Sequence, residues 1–191
     1  MANKDAAFGL RAIGKVGQNR DAQGLSEYSI AASATAIYQN DPVKMLNTGT
    51  IGVAAAGDAL LGSLNGVFYT DASTSKPTWA NHLAASNAAT DIVGFVADDP
   101  YQRFEIQSNN TGASAATDVF NVADIAYTAG ATPNFVSKVE LDDSTLAAGS
   151  SAQLTILGVS RDPDNSDLTS ANVNWIVRIN EHNLALGSNG I

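Results

Sequence analysis

The sequence predicts an all-β protein, a barrel or sandwich of short antiparallel strands, with an extended N-terminal arm and at most one or two short helices. Apolar and polar residues alternate along several segments, and turn-forming pairs such as Asp41-Pro42, Asp99-Pro100 and Thr132-Pro133 separate these segments. Helical periodicity is weak by comparison. Many short strands separated by turn residues are typical of barrels and sandwiches.

Charge divides the chain into two parts. Residues 1–20 contain four basic residues and one acidic residue, a net charge of +3, whereas the whole chain carries −9, so the remainder carries −12. The positive charge and the glycines of this N-terminal segment predict an extended arm over residues 1–25, followed by one β-rich domain over residues 26–191. The asymmetry suggests that the arm docks on an acidic partner or a neighbouring copy, and an ordinary solvated terminus is the alternative.

The clearest strand is VNWIVRIN, residues 173–180, in which core-facing positions alternate with wetter ones. The predicted core positions are Val173, Trp175, Val177 and Ile179, and the opposite face carries Asn174, Ile176, Arg178 and Asn180. QRFEIQ repeats the pattern, with Phe104 and Ile106 directed inward and Arg103 and Glu105 outward. DIVGFVA and QLTILGV are apolar on both faces, which suits central strands.

Local signals predict three further features. Asn65-Gly66 lies between apolar segments and predicts a hairpin turn. A short helix after Pro77 and a helical turn beginning at Ser144 are both weakly indicated. The polar, alanine-rich segment around residues 71–90 predicts a surface loop.

A near match to a phosphate-binding loop lies close to the start. Gly9, Gly14 and Lys15 have the required spacing, but Val16 stands where a magnesium-binding hydroxyl is needed. The preceding residues, MANKDAAF, are not a buried strand, and no helical pattern follows. We therefore interpret the segment as part of the arm and expect no nucleotide or other cofactor.

Candidate metal and catalytic residues are few. His82 and His182 lack further ligands at zinc-site spacing, and His182 is expected to cap a strand end or make an interface hydrogen bond. Asp162, Asp164 and Ser166 match three positions of a calcium loop, but its glycine and glutamate positions are occupied by other residues. A solvated turn is the preferred interpretation, so we expect no metal site, no catalytic residues and no enzymatic activity.

Composition restricts the possible partners. The acidic charge argues against nucleic-acid binding, and the longest apolar stretch is short and interrupted by Asp58, which argues against membrane insertion. The chain has no cysteine, so disulfides and thiolate chemistry are excluded. No signal peptide is expected, because the start lacks an apolar segment.

Both ends of the chain resemble the capsid decoration, or cement, proteins of tailed bacteriophages. The opening MANKDAAFGLR carries the first part of this resemblance, and the close, a Pro-Asp-Asn turn followed by VRINEH, carries the second. The matching residues are Met1, Ala2, Asn3, Asp5, Ala6, Phe8, Gly9, Leu10 and Arg11, then Pro163, Asp164, Asn165, Val177, Ile179, Asn180 and His182. Ala7 and Ala12 stand where proline is common in that family, which implies a less rigid arm.

The resemblance implies a non-enzymatic protein that binds the outer surface of the expanded head and stabilises the capsid lattice. The implied partners are the major capsid protein and further copies of this chain, as a homotrimer or homodimer, and the implied location is the virion exterior. Charge and apolar contact would come from the arm. The expected capsid-binding residues are Lys4, Phe8, Leu10, Arg11, Ile13, Lys15 and Arg20.

Two other functions remain open. One is a virion-surface adhesion or carbohydrate-binding module in which Trp79 and His82 serve a sugar site, although Trp79 packed beneath its loop is the commoner arrangement. The other is a different structural subunit, in the neck or tail.

Overall fold

The computed structural model describes residues 2–16, 24–109, 114–147, 149 and 151–185. These ranges contain thirteen strands and two short 3-10 helices, Ala116–Asp118 and Asp143–Thr145, which confirms the all-β prediction. The strands are β1 (Arg11–Lys15), β2 (Ser26–Ser29), β3 (Pro42–Met45), β4 (Ile51–Val53), β5 (Gly62–Thr70), β6 (Pro77–Ala80), β7 (Val93–Ala97), β8 (Gln102–Gln107), β9 (Val122–Ala123), β10 (Ile125–Ala126), β11 (Glu140–Leu141), β12 (Leu154–Val159) and β13 (Asn174–Ile179).

Antiparallel pairing organises these strands into two main sheets. The first sheet has the order β1-β8-β13-β12-β9. The second has the order β2-β7-β5-β3-β4, and β6 pairs with the C-terminal half of β5. Strands β10 and β11 form a separate two-stranded ribbon.

Each main sheet has its own apolar core, and neighbouring residues of the second sheet enter different cores. Leu60 packs with Phe104, Trp175 and other residues of the first sheet, whereas Leu61 packs with the core of the second sheet. Val96 and Ala97 divide in the same way. One end of the second sheet therefore lies between the two cores, because successive strand residues point to opposite faces.

A buried amide joins the two sheets. Gln153 lies just before β12, and its Nε2 donates to the carbonyl oxygens of Ala55 at 2.8 Å and Asp58 at 2.7 Å in the β4–β5 connection. Its Oε1 accepts from the backbone N–H of Ile125 at 3.0 Å. This side chain is fully buried and fully used, so it fixes the position of a second-sheet loop on the first sheet.

Period-two patterns predicted the strands well. Trp175, Val177 and Ile179 are buried as expected, and so are Phe104 and Ile106. Glu105 was expected to face solvent and is instead buried, because the Arg11 side chain covers it and pairs with it.

Three local predictions were wrong or incomplete. Asn65-Gly66 is not a hairpin turn but lies inside β5, at a bulge. The segment after Pro77 forms β6, not a helix, because pairing with β5 overrides the helical tendency of its alanines. The predicted loop around 71–90 therefore contains a strand, while the helical turn at Ser144 is present.

Candidate interaction surface

The N-terminal segment is fastened to the loop between β12 and β13. The Nδ2 group of Asn3 donates to the carbonyl oxygens of Asp167 at 2.9 Å and Ala171 at 2.8 Å. Its Oδ1 accepts from the N–H of Asp167 at 3.2 Å. A single asparagine thus holds both sides of this loop, which shows that the chain start belongs to the folded body.

A second set of hydrogen bonds involves the backbone of Lys4. Its carbonyl oxygen accepts from Asn165 Nδ2 at 2.7 Å and from Gln107 Nε2 at 2.9 Å. Gln107 also accepts from the N–H of Ala6 at 2.8 Å. Both amide side chains are buried, so they replace the water that would otherwise solvate this backbone.

Gly9 allows the segment to pass close to the body. Its φ is +76°, and a Cβ built there would lie 2.4 Å from the Cβ of Ser137 and 2.5 Å from the carbonyl oxygen of Asn40. On either side, the Phe8 carbonyl accepts from Asn40 Nδ2 at 3.1 Å, and the Leu10 N–H donates to the Asn40 carbonyl at 2.9 Å. Only glycine fits this conformation and this space.

The basic residues of the segment pair with acidic residues of the same chain. Lys4 pairs with Asp164, Arg11 pairs with the buried Glu105, and Lys15 Nζ lies 2.7 Å from Asp99 Oδ2. The hydrogen bond and charge of Asp164 raise the pKa of Lys4. The described basic side chains of this segment therefore pair within the chain, and docking on an acidic partner or a neighbouring copy stays a prediction.

The structure places the predicted capsid-binding residues in different environments, some buried and some exposed. Leu10 has 0% exposure and lies in the first core, so it is unavailable as an anchor. Phe8 is half-buried beneath the Arg11 guanidinium, 4.4 Å from its ring centroid. Ile13, at a bulge in β1, is 43% exposed, and Arg20 lies outside the described residues. The sequence predicted a separate arm. Over the described residues 2–16, this segment is instead the edge strand β1, preceded by residues that bind the body through hydrogen bonds.

An exposed aromatic face lies on the second sheet. Phe68 and Trp79 are directly opposed on β5 and β6 and are 40% and 55% exposed. The Trp79 ring lies 4.7 Å from that of Phe95, and a Cβ on Gly66 would meet the indole at 2.9 Å. The bulge glycine therefore seats the indole against the sheet. Exposed apolar clusters of this kind mark interaction surfaces.

This face continues toward β1. Ala97 lies two residues from Phe95 on the same side of β7, and it lines a cavity of about 270 Å³ together with Arg11, Ala12, Leu25 and Asn65. We call the exposed edge of β1, this cavity and the aromatic cluster the interaction face. It contains Arg11 and Ile13 from the predicted set, and it adds Leu25, Phe68, Trp79 and Phe95. Sequence reasoning considered Trp79 only as a sugar contact.

Both histidines contact neighbouring residues of the fold. His82 stacks on Phe135 with ring centroids 3.9 Å apart, and burial lowers its pKa. His182 follows β13, and its Nδ1 accepts from the Leu184 N–H at 3.0 Å, in agreement with the expected strand cap. Burial also lowers its pKa.

Among the described residues, no group of three or more His, Cys, Asp or Glu side chains is arranged to hold a metal ion. Within the same ranges, none of the helices has the length and apolar character needed to cross a membrane. The acidic run at residues 162–167 instead provides the docking loop for Asn3 and Lys4.

Comparison with known proteins finds no family model, no curated protein and no solved structure that matches this chain. The resemblance to decoration proteins therefore stays a prediction carried by the two ends of the sequence.

Proposed function

We propose that this protein is a non-enzymatic decoration protein that binds the outer surface of an expanded phage head and stabilises its lattice. The observation that best supports this proposal is the contact between the two segments that carry the resemblance. Asn3 and Lys4 of the opening bind the loop that contains Asp164 and Asn165 of the close. The matching residues thus belong to one structural unit, although they are about 160 positions apart in sequence.

The interaction face suits attachment to a protein lattice. Aromatic residues contribute strongly to protein interfaces, and Trp79, Phe68 and Ile13 are partly exposed while the fold is intact. Many copies on a repeating surface require only modest affinity per contact if the copies are themselves linked. The face is set on paired strands, so little ordering is required when it binds.

This proposal changes the expected capsid contacts. Lys4, Leu10 and Lys15 contact the body, while Ile13 and the exposed part of Arg11 lie on the exposed edge of β1. Deleting residues 1–20 is therefore an unsuitable test, because it removes β1 and a core leucine.

The test is co-sedimentation of the purified protein with undecorated, expanded heads. We expect saturable binding at hundreds of copies per head, and we expect Ile13→Glu to weaken it by at least about tenfold, because a charge would enter the contact. Phe120→Glu is the matched control, since Phe120 is an exposed apolar residue near β9 at the opposite edge of the first sheet. Absence of saturable binding by the unaltered protein would overturn the proposal.

A carbohydrate-binding module is the second candidate, because the open Trp79 indole, seated over Gly66, resembles a stacking platform. His82 contributes less than expected, since one face of its ring is covered by Phe135. A glycan array that shows selective binding, lost on Trp79→Ala, would favour this function. A neck or tail subunit would instead be recognised by its low copy number per virion.

A further inference from the structure

Two arginines face each other on the outer side of the first sheet. Arg103 of β8 is directly opposite Arg178 of β13, and both are half-buried. Their strand neighbours Phe104 and Val177 point the other way, into the first core. Opposed residues in an antiparallel pair have Cβ atoms about 5 Å apart, and like charges at this spacing destabilise the sheet.

Among the residues that the structure describes, neither guanidinium has an acidic partner. The ion pairs of the described residues use Lys4, Arg11, Lys15 and Lys44, and none involves Arg103 or Arg178. The Nε atom of each arginine is shielded from solvent and has no hydrogen-bond acceptor. Glu105 is two residues from Arg103 on the same face of β8, but it pairs with Arg11.

The surroundings of this pair leave room for a ligand. On β1 the residue opposite Arg103 is Gly14, which has no side chain to cover the guanidinium. On β12 the residue opposite Arg178 is Thr155, which carries a hydroxyl. Arg178 also lines a cavity of about 270 Å³ whose walls include the exposed apolar side chains of Tyr101 and Leu184.

We propose that Arg103 and Arg178 bind a carboxylate of an acidic peptide segment from a partner protein, and that an adjacent apolar side chain of that segment enters the cavity. Guanidinium groups bind carboxylates through paired, charge-assisted hydrogen bonds. The bound carboxylate would neutralise the opposed charges by accepting hydrogen bonds from the outer guanidinium nitrogens, because the Nε atoms are shielded from solvent. The inference goes beyond the proposed function, because it specifies a ligand chemistry at a surface separate from the interaction face.

The apolar walls favour a peptide over a simple anion. Inorganic phosphate has no group that would occupy a cavity bordered by Tyr101 and Leu184. Extended polyanions such as nucleic acid are disfavoured by the charge of −9 on the chain. A short segment with one or two carboxylates beside a leucine fits both the charge and the cavity.

The test follows the arginine Nε–H signals of the full-length protein by NMR during titration with the peptide acetyl-Leu-Asp-Glu-Leu-amide. We expect saturable shifts of the Arg103 and Arg178 signals and no saturable shift with acetyl-Leu-Asn-Gln-Leu-amide. Arg178→Gln should weaken binding at least about tenfold, because it removes one charge-assisted pair. Arg161→Gln is the matched control, since Arg161 is exposed and outside the site.

Three outcomes would overturn the proposal: no shift at millimolar peptide, equal weakening by Arg161→Gln, or inorganic phosphate binding as tightly as the peptide. The last result would indicate an adventitious ion only. If Arg178→Gln fails to fold, Arg178→Lys retains the charge but loses the paired geometry. It should also weaken peptide binding, and unchanged affinity would contradict the assignment.

Discussion

Asp41 offers a sharp test of the electrostatics of this fold. Its carboxylate is fully buried just before β3, where Oδ2 accepts from the Tyr38 N–H at 2.8 Å and Oδ1 has no partner. Burial raises the pKa of Asp41 from 3.8 to about 6, although the nearby Ser137 hydroxyl and the hydrogen bond from the Tyr38 N–H oppose the rise. The same charge, together with burial as the larger cause, raises the pKa of Tyr127 to about 12.

The sign of the effect follows from proton binding. Between pH 3.8 and about 6 the folded state keeps a proton that the unfolded state has released, so stability falls as pH rises through this window. At 1.36 kcal/mol per pKa unit, the rise corresponds to about 3 kcal/mol of stability lost by pH 7.5. Asp41→Asn resembles the protonated acid and should avoid this loss.

The assay is urea unfolding of the unaltered protein and Asp41→Asn at intervals from pH 4 to pH 7.5. The difference between their unfolding free energies should change by about 2.5 kcal/mol in favour of the asparagine variant across this range, because part of the loss occurs below pH 4. Taking the difference removes the opposite contributions of His82 and His182, whose lowered pKa values make folding less favourable as pH falls. A difference that stays constant with pH would refute the reasoning.

Further predictions concern three positions that hold the fold together or strain it. Gly9→Ala should lower the free energy of unfolding by about 2–4 kcal/mol, because a Cβ would collide with Ser137 in a left-handed conformation; a thermal melt within about 1 °C of the unaltered protein would contradict this. Gln153→Met should cost about 3 kcal/mol in urea unfolding, because it leaves Ala55, Asp58 and Ile125 without their buried partner; a neutral result would show that water replaces the amide. Arg178→Gln should raise stability by up to about 1 kcal/mol at low salt and by less at high salt, and destabilisation would show that the opposed arginines do not repel.

Much of the fold was predictable because alternation reports directly on burial. Residues 173–180 and 102–107 read as strands with a definite inner face, and Trp175 and Phe104 lie in the core accordingly. Turn signals were less informative, since glycine is required at bulges as well as at hairpins. Gly66 follows a polar residue between apolar segments, yet its role is to seat the Trp79 indole.

The sequence indicated that charged and aromatic residues would matter, but it did not indicate which residues lie together in space. The excess positive charge of residues 1–20 suggested docking on the acidic surface of a partner or a neighbouring copy, whereas Lys4, Arg11 and Lys15 pair within the chain itself. The sequence did not reveal that Asp164, Glu105 and Asp99 of the same chain are their partners, because these partners lie 84 to 160 positions away. The aromatic cluster was missed for a similar reason, since Phe68, Trp79 and Phe95 meet only through strand pairing.

The central claim is that the basic side chains at the start of the chain pair with the body of the same chain, while the interaction face binds the head. The most direct measurement is co-sedimentation with expanded heads of the unaltered protein, Lys4→Gln and Trp79→Ala, each confirmed to be folded by circular dichroism. Lys4 forms an exposed ion pair, so its replacement should cost little stability. We predict that Lys4→Gln binds as tightly as the unaltered protein and that Trp79→Ala binds at least about tenfold more weakly. Loss of binding by Lys4→Gln, with unchanged binding by Trp79→Ala, would contradict the account.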